Sequence, residues 1–179
     1  AQDWAARAAC LAFLIDVPWS AVFVSHVLKT AEISDFLVSS SHFYYIRDAE
    51  RRPLDGPYRL VDPTAEKPAV GDLVCYLREK NRIYGYRGLL AYLGGSGGPL
   101  DSHCDIVVGV DIDGDSKVYA IGGNVIHGVT MRKLNLNARG LLSLPMEKDG
   151  DDAREFEIGD EKDYNFNRQD WAALLKLNR

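Results

Sequence analysis

Three polar residues draw attention for what they could do together: Ser20, His103 and Asn124. Nucleophilic catalysis needs a nucleophile, a base within hydrogen-bond reach, and a third group that orients the base. Ser20 offers a hydroxyl, His103 an imidazole suited to proton transfer, and Asn124 an amide able to hold a ring in place. Each has a plainer role when taken alone. Ser is a preferred helix cap. A lone His at a strand start is most often structural or exposed. Asn after two glycines is most often a turn residue.

The elements that would position these residues are readable. Pro18-Trp19-Ser20-Ala21-Val22-Phe23-Val24 has the form of a helix start, with Pro18 suited to the helix entrance. Ser20, Val24, Val27 and Ala31 recur at helical spacing and share one face. The N-terminus of such a helix carries unpaired N–H groups and partial positive charge, which favour an anion forming there. His103 falls on the clearest strand, 102–112. Alternation places His103 and Asp105 on one face of it, and Cys104 with Ile106 on the other. Cys104 therefore points into packing and is set aside as nucleophile. Asp105 is placed to orient the His103 ring, although a strand carboxylate at a cleft rim is the plainer reading.

Helices come first along the chain. Residues 3–15 read as a helix with Trp4, Ala8, Leu11 and Ile15 on one side, followed by the Ser20 helix and a third over 39–50. His42 and Tyr45 lie on that third helix. They are candidates for substrate contact, with structural roles as the alternative. Residues 51–68 carry Pro53, Pro57, Pro63 and Pro68 and read as a loop. A strand follows at 70–77, then a long basic and Gly-rich loop over 78–101, a strand at 117–121 broken by Gly122-Gly123-Asn124, and strands near 125–134 and 140–144. Helices followed by a meander of antiparallel strands give an α+β domain over 1–145. Residues 146–179 read as an acidic extension with a short terminal helix, its apolar side formed by Trp171, Leu174 and Leu175.

Composition narrows the field. The 179 residues suit one domain, and 46% hydrophobic content supplies a real core. The net charge of -5 argues against a nucleic-acid partner. No run approaches the length of a membrane span. The start of the chain carries Asp3 and Arg7, lacks a long apolar core and does not read as a signal peptide, with a removed export signal left open. Cys10, Cys75 and Cys104 are too dispersed for a zinc or CxxC motif and read as small core side chains, with one disulfide left open. The glycines of 94–98 lack the Lys-Ser/Thr of a phosphate-binding loop. Asp113-Gly114-Asp115 lacks the terminal Glu of a calcium loop.

Four stretches, taken together and in order, resemble the papain-like cell-wall hydrolases of the NlpC-like and CHAP group. They are 18–24, Pro68-Ala69-Val70-Gly71-Asp72-Leu73-Val74, Ser102-His103-Cys104-Asp105-Ile106-Val107-Val108, and Ile121-Gly122-Gly123-Asn124-Val125. The likeness is greatest to an uncharacterised bacterial branch with Ser at the nucleophile position. The resemblance implies a papain-like fold, with Ser20 as nucleophile, His103 as general base and Asn124 as the orienting residue. It implies amide bonds of peptidoglycan as substrate, no metal or organic cofactor, and a periplasmic or secreted location. Most of the superfamily has Cys where this chain has Ser20. Three readings follow: a working serine nucleophile, a catalytically silent module that binds wall peptides or a protein partner, or a replacement of an original Cys. A secreted antibacterial toxin, neutralised by an inhibitor or immunity protein, would use the same chemistry.

Overall fold

The run Leu73-Val74-Cys75-Tyr76-Leu77 has no exposed side chain, and the fold buries both of its faces. The computed structural model describes residues 17–145 and 166–178. The helix expected over 3–15 lies outside these residues. Those described form a mixed α+β structure. The helices are α1 (Ser20–Thr30), α2 (His42–Arg51) and α3 (Gly85–Leu93). The strands are β1 (Tyr58–Val61), β2 (Leu73–Leu77), β3 (Ser102–Val110), β4 (Lys117–Val125), β5 (Gly128–Leu136), β6 (Leu142–Ser143) and β7 (Asp170–Leu177). All seven strands belong to one antiparallel sheet, ordered β1-β7-β2-β3-β4-β5-β6. None of the described helices is long and apolar enough to cross a membrane.

Two apolar clusters use the two faces of this sheet. Leu73, Cys75, Leu77, Cys104 and Ile106 pack with Ala21, Val24 and Leu28 of α1 and Phe43 and Ile46 of α2. Val74, Tyr76 and Val107 pack on the other side with Val118, Ala120, Leu134, Trp171 and Leu174. The alternation expected for β3 is therefore observed, with Cys104 in the helix-covered cluster. Cys75 and Cys104 are paired across β2 and β3 and form a disulfide, so they are more than small core side chains.

The C-terminal residues depart from expectation. Trp171, Leu174 and Leu175 have helical spacing, yet 170–177 is a strand lying between β1 and β2. Trp171-Ala172-Ala173-Leu174-Leu175 is a continuous apolar run, and all five residues are buried. A strand covered on both faces needs no alternation, which removes the signal that separates strand from helix. The terminal segment is thus integral to the sheet, and no terminal helix forms.

Two further elements occupy stretches expected to be loops. β1 sits among the prolines of 51–68 as an edge strand, a place where flanking Pro is tolerated. Helix α3 occupies part of the Gly-rich segment, and its cap comes from far away in the chain. The Asp170 carboxylate accepts from the N–H groups of Tyr84 at 2.8 Å and Gly85 at 2.7 Å. A carboxylate at a helix N-terminus satisfies free donors and complements the helix dipole. The third departure is β4, which runs through Gly122-Gly123-Asn124 with a register shift instead of ending before them.

The disulfide closes a sequence separation of 29 residues. Replacing Cys75 and Cys104 together by Ala should lower unfolding stability by about 3–4 kcal/mol through loop-closure entropy. Urea denaturation of the double variant beside the wild type measures this, and equal midpoints would contradict it.

Candidate active site

Ser20 is the first residue of α1, and the residue in the cap position is Trp19. The Ser20 hydroxyl does not cap the helix. It lies instead 2.8 Å from Nε2 of His42 at the start of α2. The first turn is closed by the Phe23 N–H, which donates to Trp19 O at 2.9 Å. The N–H groups of Ser20, Ala21 and Val22 precede that bond, so the hydroxyl stands in the field of the helix N-terminus. Pro18, just ahead of the cap position, has no N–H to leave unpaired there.

His42 is 3% exposed, and it is not a surface contact. Its ring lies 5.0 Å from the ring of His103, centroid to centroid. Burial lowers the His42 pKa to about 3, aided by the nearby charges of His103 and Arg78 and opposed by Asp105. His42 is therefore a neutral imidazole at neutral pH. Its Nδ1 is the one buried side-chain polar atom without a hydrogen-bond partner among the described residues.

His103 is held by Asp105, its neighbour on the same face of β3. Nε2 of His103 is 2.8 Å from Oδ1 of Asp105. The second carboxylate oxygen, Oδ2, accepts from Nε of Arg132 at 2.8 Å. Arg132 also donates to the Tyr76 hydroxyl at 3.1 Å and to Phe166 O. Its guanidinium lies 5.3 Å from the Tyr76 ring centroid and 5.8 Å from that of Trp171. Burial alone would raise the Asp105 pKa. The hydrogen bond and charge of His103 and the charge of Arg132 outweigh it and hold the carboxyl below its ordinary value. Asp105 is thus a buried carboxylate between two partners, not a group at a cleft rim.

The His103 ring, expected to be oriented by Asn124, is hydrogen-bonded to Asp105 instead. Among the described residues no hydrogen bond joins Asn124 to His103. Asn124 has a positive φ of 56° and sits in the irregular stretch of β4, where Asn is better tolerated than most residues. Tyr45 has a structural role in the packing of the two helices. It is 2% exposed, and its hydroxyl lies 2.6 Å from both Ser25 Oγ and Ala21 O, which ties α2 to α1. Burial raises its pKa to about 12, against the pull of its hydrogen bonds with Ser25 and Ser39.

The two glycines before Asn124 explain how the elements come this close. A Cβ at Gly122 would lie 1.9 Å from Oδ1 of Asp105 and 2.8 Å from Nε2 of His103. A Cβ at Gly123 would lie 2.6 Å from Cβ of Phe23 on α1. Gly122 admits the His103–Asp105 pair, and Gly123 admits helix α1. The residues missed in sequence are Arg132 and Tyr76. A signal for Arg132 exists: it shares a face of β5 with Leu134 and Leu136, while Met131 and Lys133 are exposed. An Arg on an inward face needs an acidic partner, and Asp105 is inward on β3.

Residues 3–177 match a family described as "Uncharacterized protein conserved in bacteria (DUF2272)". No curated protein and no solved structure matches the chain.

Gly122→Ala should lower stability by about 1–3 kcal/mol, because the carboxylate it strikes is pinned by Arg132. Gly128→Ala is the control, since its Cβ would meet nothing closer than 3.8 Å. Circular dichroism melts of the two variants decide this, and equal behaviour would contradict it. A second expectation concerns acid. The folded-state pKa of His42 lies below its unfolded value of 6.5, so the unfolded state takes up the proton first. The resulting loss of stability begins below pH 6.5 and continues toward about 3. From pH 7 to pH 5 the wild type should lose about 2 kcal/mol more than His42→Gln. Guanidinium titrations at both pH values measure the difference, and parallel losses would contradict it.

Proposed function

The chain belongs to that bacterial family, and we propose that it is a serine hydrolase of amide bonds, acting on the peptides of bacterial peptidoglycan. The observation that carries this reading is Ser20 Oγ at the N-terminus of α1, 2.8 Å from His42, whose ring adjoins the Asp105-held His103. A carboxylate only accepts, so Nε2 of His103 carries the proton of the Asp105 bond. In the neutral form of that ring Nδ1 has a lone pair and is fitted to serve as base. His42 has no such orienting partner.

The chemistry follows from these assignments. Ser20 Oγ attacks the amide carbonyl carbon as its proton passes to Nδ1 of His103. The C–N bond then breaks, and the same proton goes to the departing amine. Water hydrolyses the resulting serine ester with His103 again as base. Asp105 steadies the imidazolium that forms in both halves. A serine cannot be ionised in advance as a cysteine can, so it needs a well-held base during attack. The Asp105–Arg132 support meets that need.

The peptidoglycan substrate rests on the likeness of four motifs to papain-like wall hydrolases. The Cys75–Cys104 disulfide supports a periplasmic or secreted location, because such bonds persist in oxidising compartments. The test is mass spectrometry of purified peptidoglycan fragments incubated with the wild type, Ser20→Ala and Ser20→Cys. New peptide or amide products are expected with the wild type and none with Ala. Cleavage by the Cys variant alone would show that Ser20 inactivates an otherwise competent site. No cleavage by any form would overturn the reading in favour of a silent binding module.

A further inference from the structure

A hydrolase needs a donor for the oxygen that becomes negative when the carbonyl is attacked. The Ser20 backbone N–H is one candidate, and the side-chain donor has so far no owner. We propose that His42 is that donor: a neutral imidazole whose Nε2–H binds Ser20 Oγ at rest and the substrate oxyanion in the tetrahedral adduct. This rests on the serine hydrolase reading.

The assignment comes from where the protons must sit. Two nitrogens of His42 share one proton in the neutral ring. Nδ1 is buried and has no partner among the described residues, so a proton placed there would be an orphaned donor. Buried donors without acceptors are rare and destabilising, and a lone pair is the milder group to leave unmet. The proton therefore belongs on Nε2, which lies 2.8 Å from Ser20 Oγ. His42 donates to the hydroxyl and leaves the serine proton to another acceptor. On the hydrolase reading that acceptor is His103, with its own proton held on the opposite nitrogen by Asp105.

The two rings thus divide the work. His103 takes the proton of Ser20, while His42 keeps its own throughout. No bond to His42 forms or breaks. As Oγ bonds to the carbonyl carbon, the π pair moves to the carbonyl oxygen, which is bonded to the same carbon. A donor at hydrogen-bond distance from Oγ needs only a small shift to reach that oxygen. The surroundings favour a neutral donor over an imidazolium. His103 and Asp105 approach from β3, Tyr45 lies 5.5 Å away on the same helix, and Arg78 adds positive charge from the end of β2.

The test compares His42→Gln, which keeps an N–H donor, with His42→Met, which fills the space without one. Peptidoglycan turnover by the Met variant should fall about 10²–10³-fold in kcat with KM little changed, and Gln should recover most of that loss. Near-wild-type turnover by Met, or an equal loss in Gln and Met, would overturn the proposal, since a base would be lost in both. Long-range proton–nitrogen NMR on the wild type reads the tautomer independently of turnover and of variant folding. A protonated Nε2 and bare Nδ1 on His42 are expected, and a proton on Nδ1 would overturn the donor assignment. A wild type without turnover would overturn the hydrolase reading and the catalytic role with it, whatever the tautomer.

Discussion

The Asp105 carboxylate is 1% exposed, and the site is arranged around keeping its charge inside the protein. A buried carboxylate persists as an ion only when it is paired and its oxygens are hydrogen-bonded. One oxygen meets His103 and the other Arg132, each at 2.8 Å. Those bonds in turn require Tyr76 and Trp171 beside the guanidinium, and no side chain at position 122. Removing one partner would strand a charge, so the residues stand or fall together. This is how the strands of the sheet fix the direction of the His103 ring.

Much of this was legible in the sequence, and what was not has identifiable causes. The Ser20 helix, strand β3 and the face shared by His103 and Asp105 follow from local periodicity, which needs no tertiary knowledge. Strand β7 was unreadable because a strand buried on both faces shows neither alternation nor a polar side. Helix α3 has no cap of its own nearby, since Asp170 reaches it across the fold. Asn124 makes no hydrogen bond to His103 among the described residues, for a related reason. Spacing shows that a polar residue ends a strand, but not which side chain reaches the imidazole. Asp105 is the residue that meets the ring because two residues of separation along a strand place it beside His103 at no extra cost in chain ordering. His42 was visible only as a residue on a helix near the cleft. Its bond to Ser20 spans 22 positions, and local pattern carries no information about such a contact.

On the proposed hydrolase reading, a serine nucleophile changes what the surrounding groups must do. A thiolate can be held ready by a nearby cation, whereas a hydroxyl must surrender its proton during attack. The proposed chemistry meets this with a base held by a charged pair, a second imidazole kept neutral by burial, and the first turn of a helix. The same neutrality makes His42 a liability in acid. A site arranged for a neutral donor is thus tied to the stability of the fold that buries it.

Activation of Ser20 is tested most directly by a probe that requires no knowledge of the substrate. A fluorophosphonate reacts with a hydroxyl that has a working base beside it and ignores ordinary serines. The measurement is mass spectrometry of the intact protein and its peptides after exposure to the probe. A single adduct on the peptide containing Ser20, abolished by His103→Ala, is the expected result. No adduct, or an adduct on another serine that survives His103→Ala, would contradict a serine hydrolase at this site.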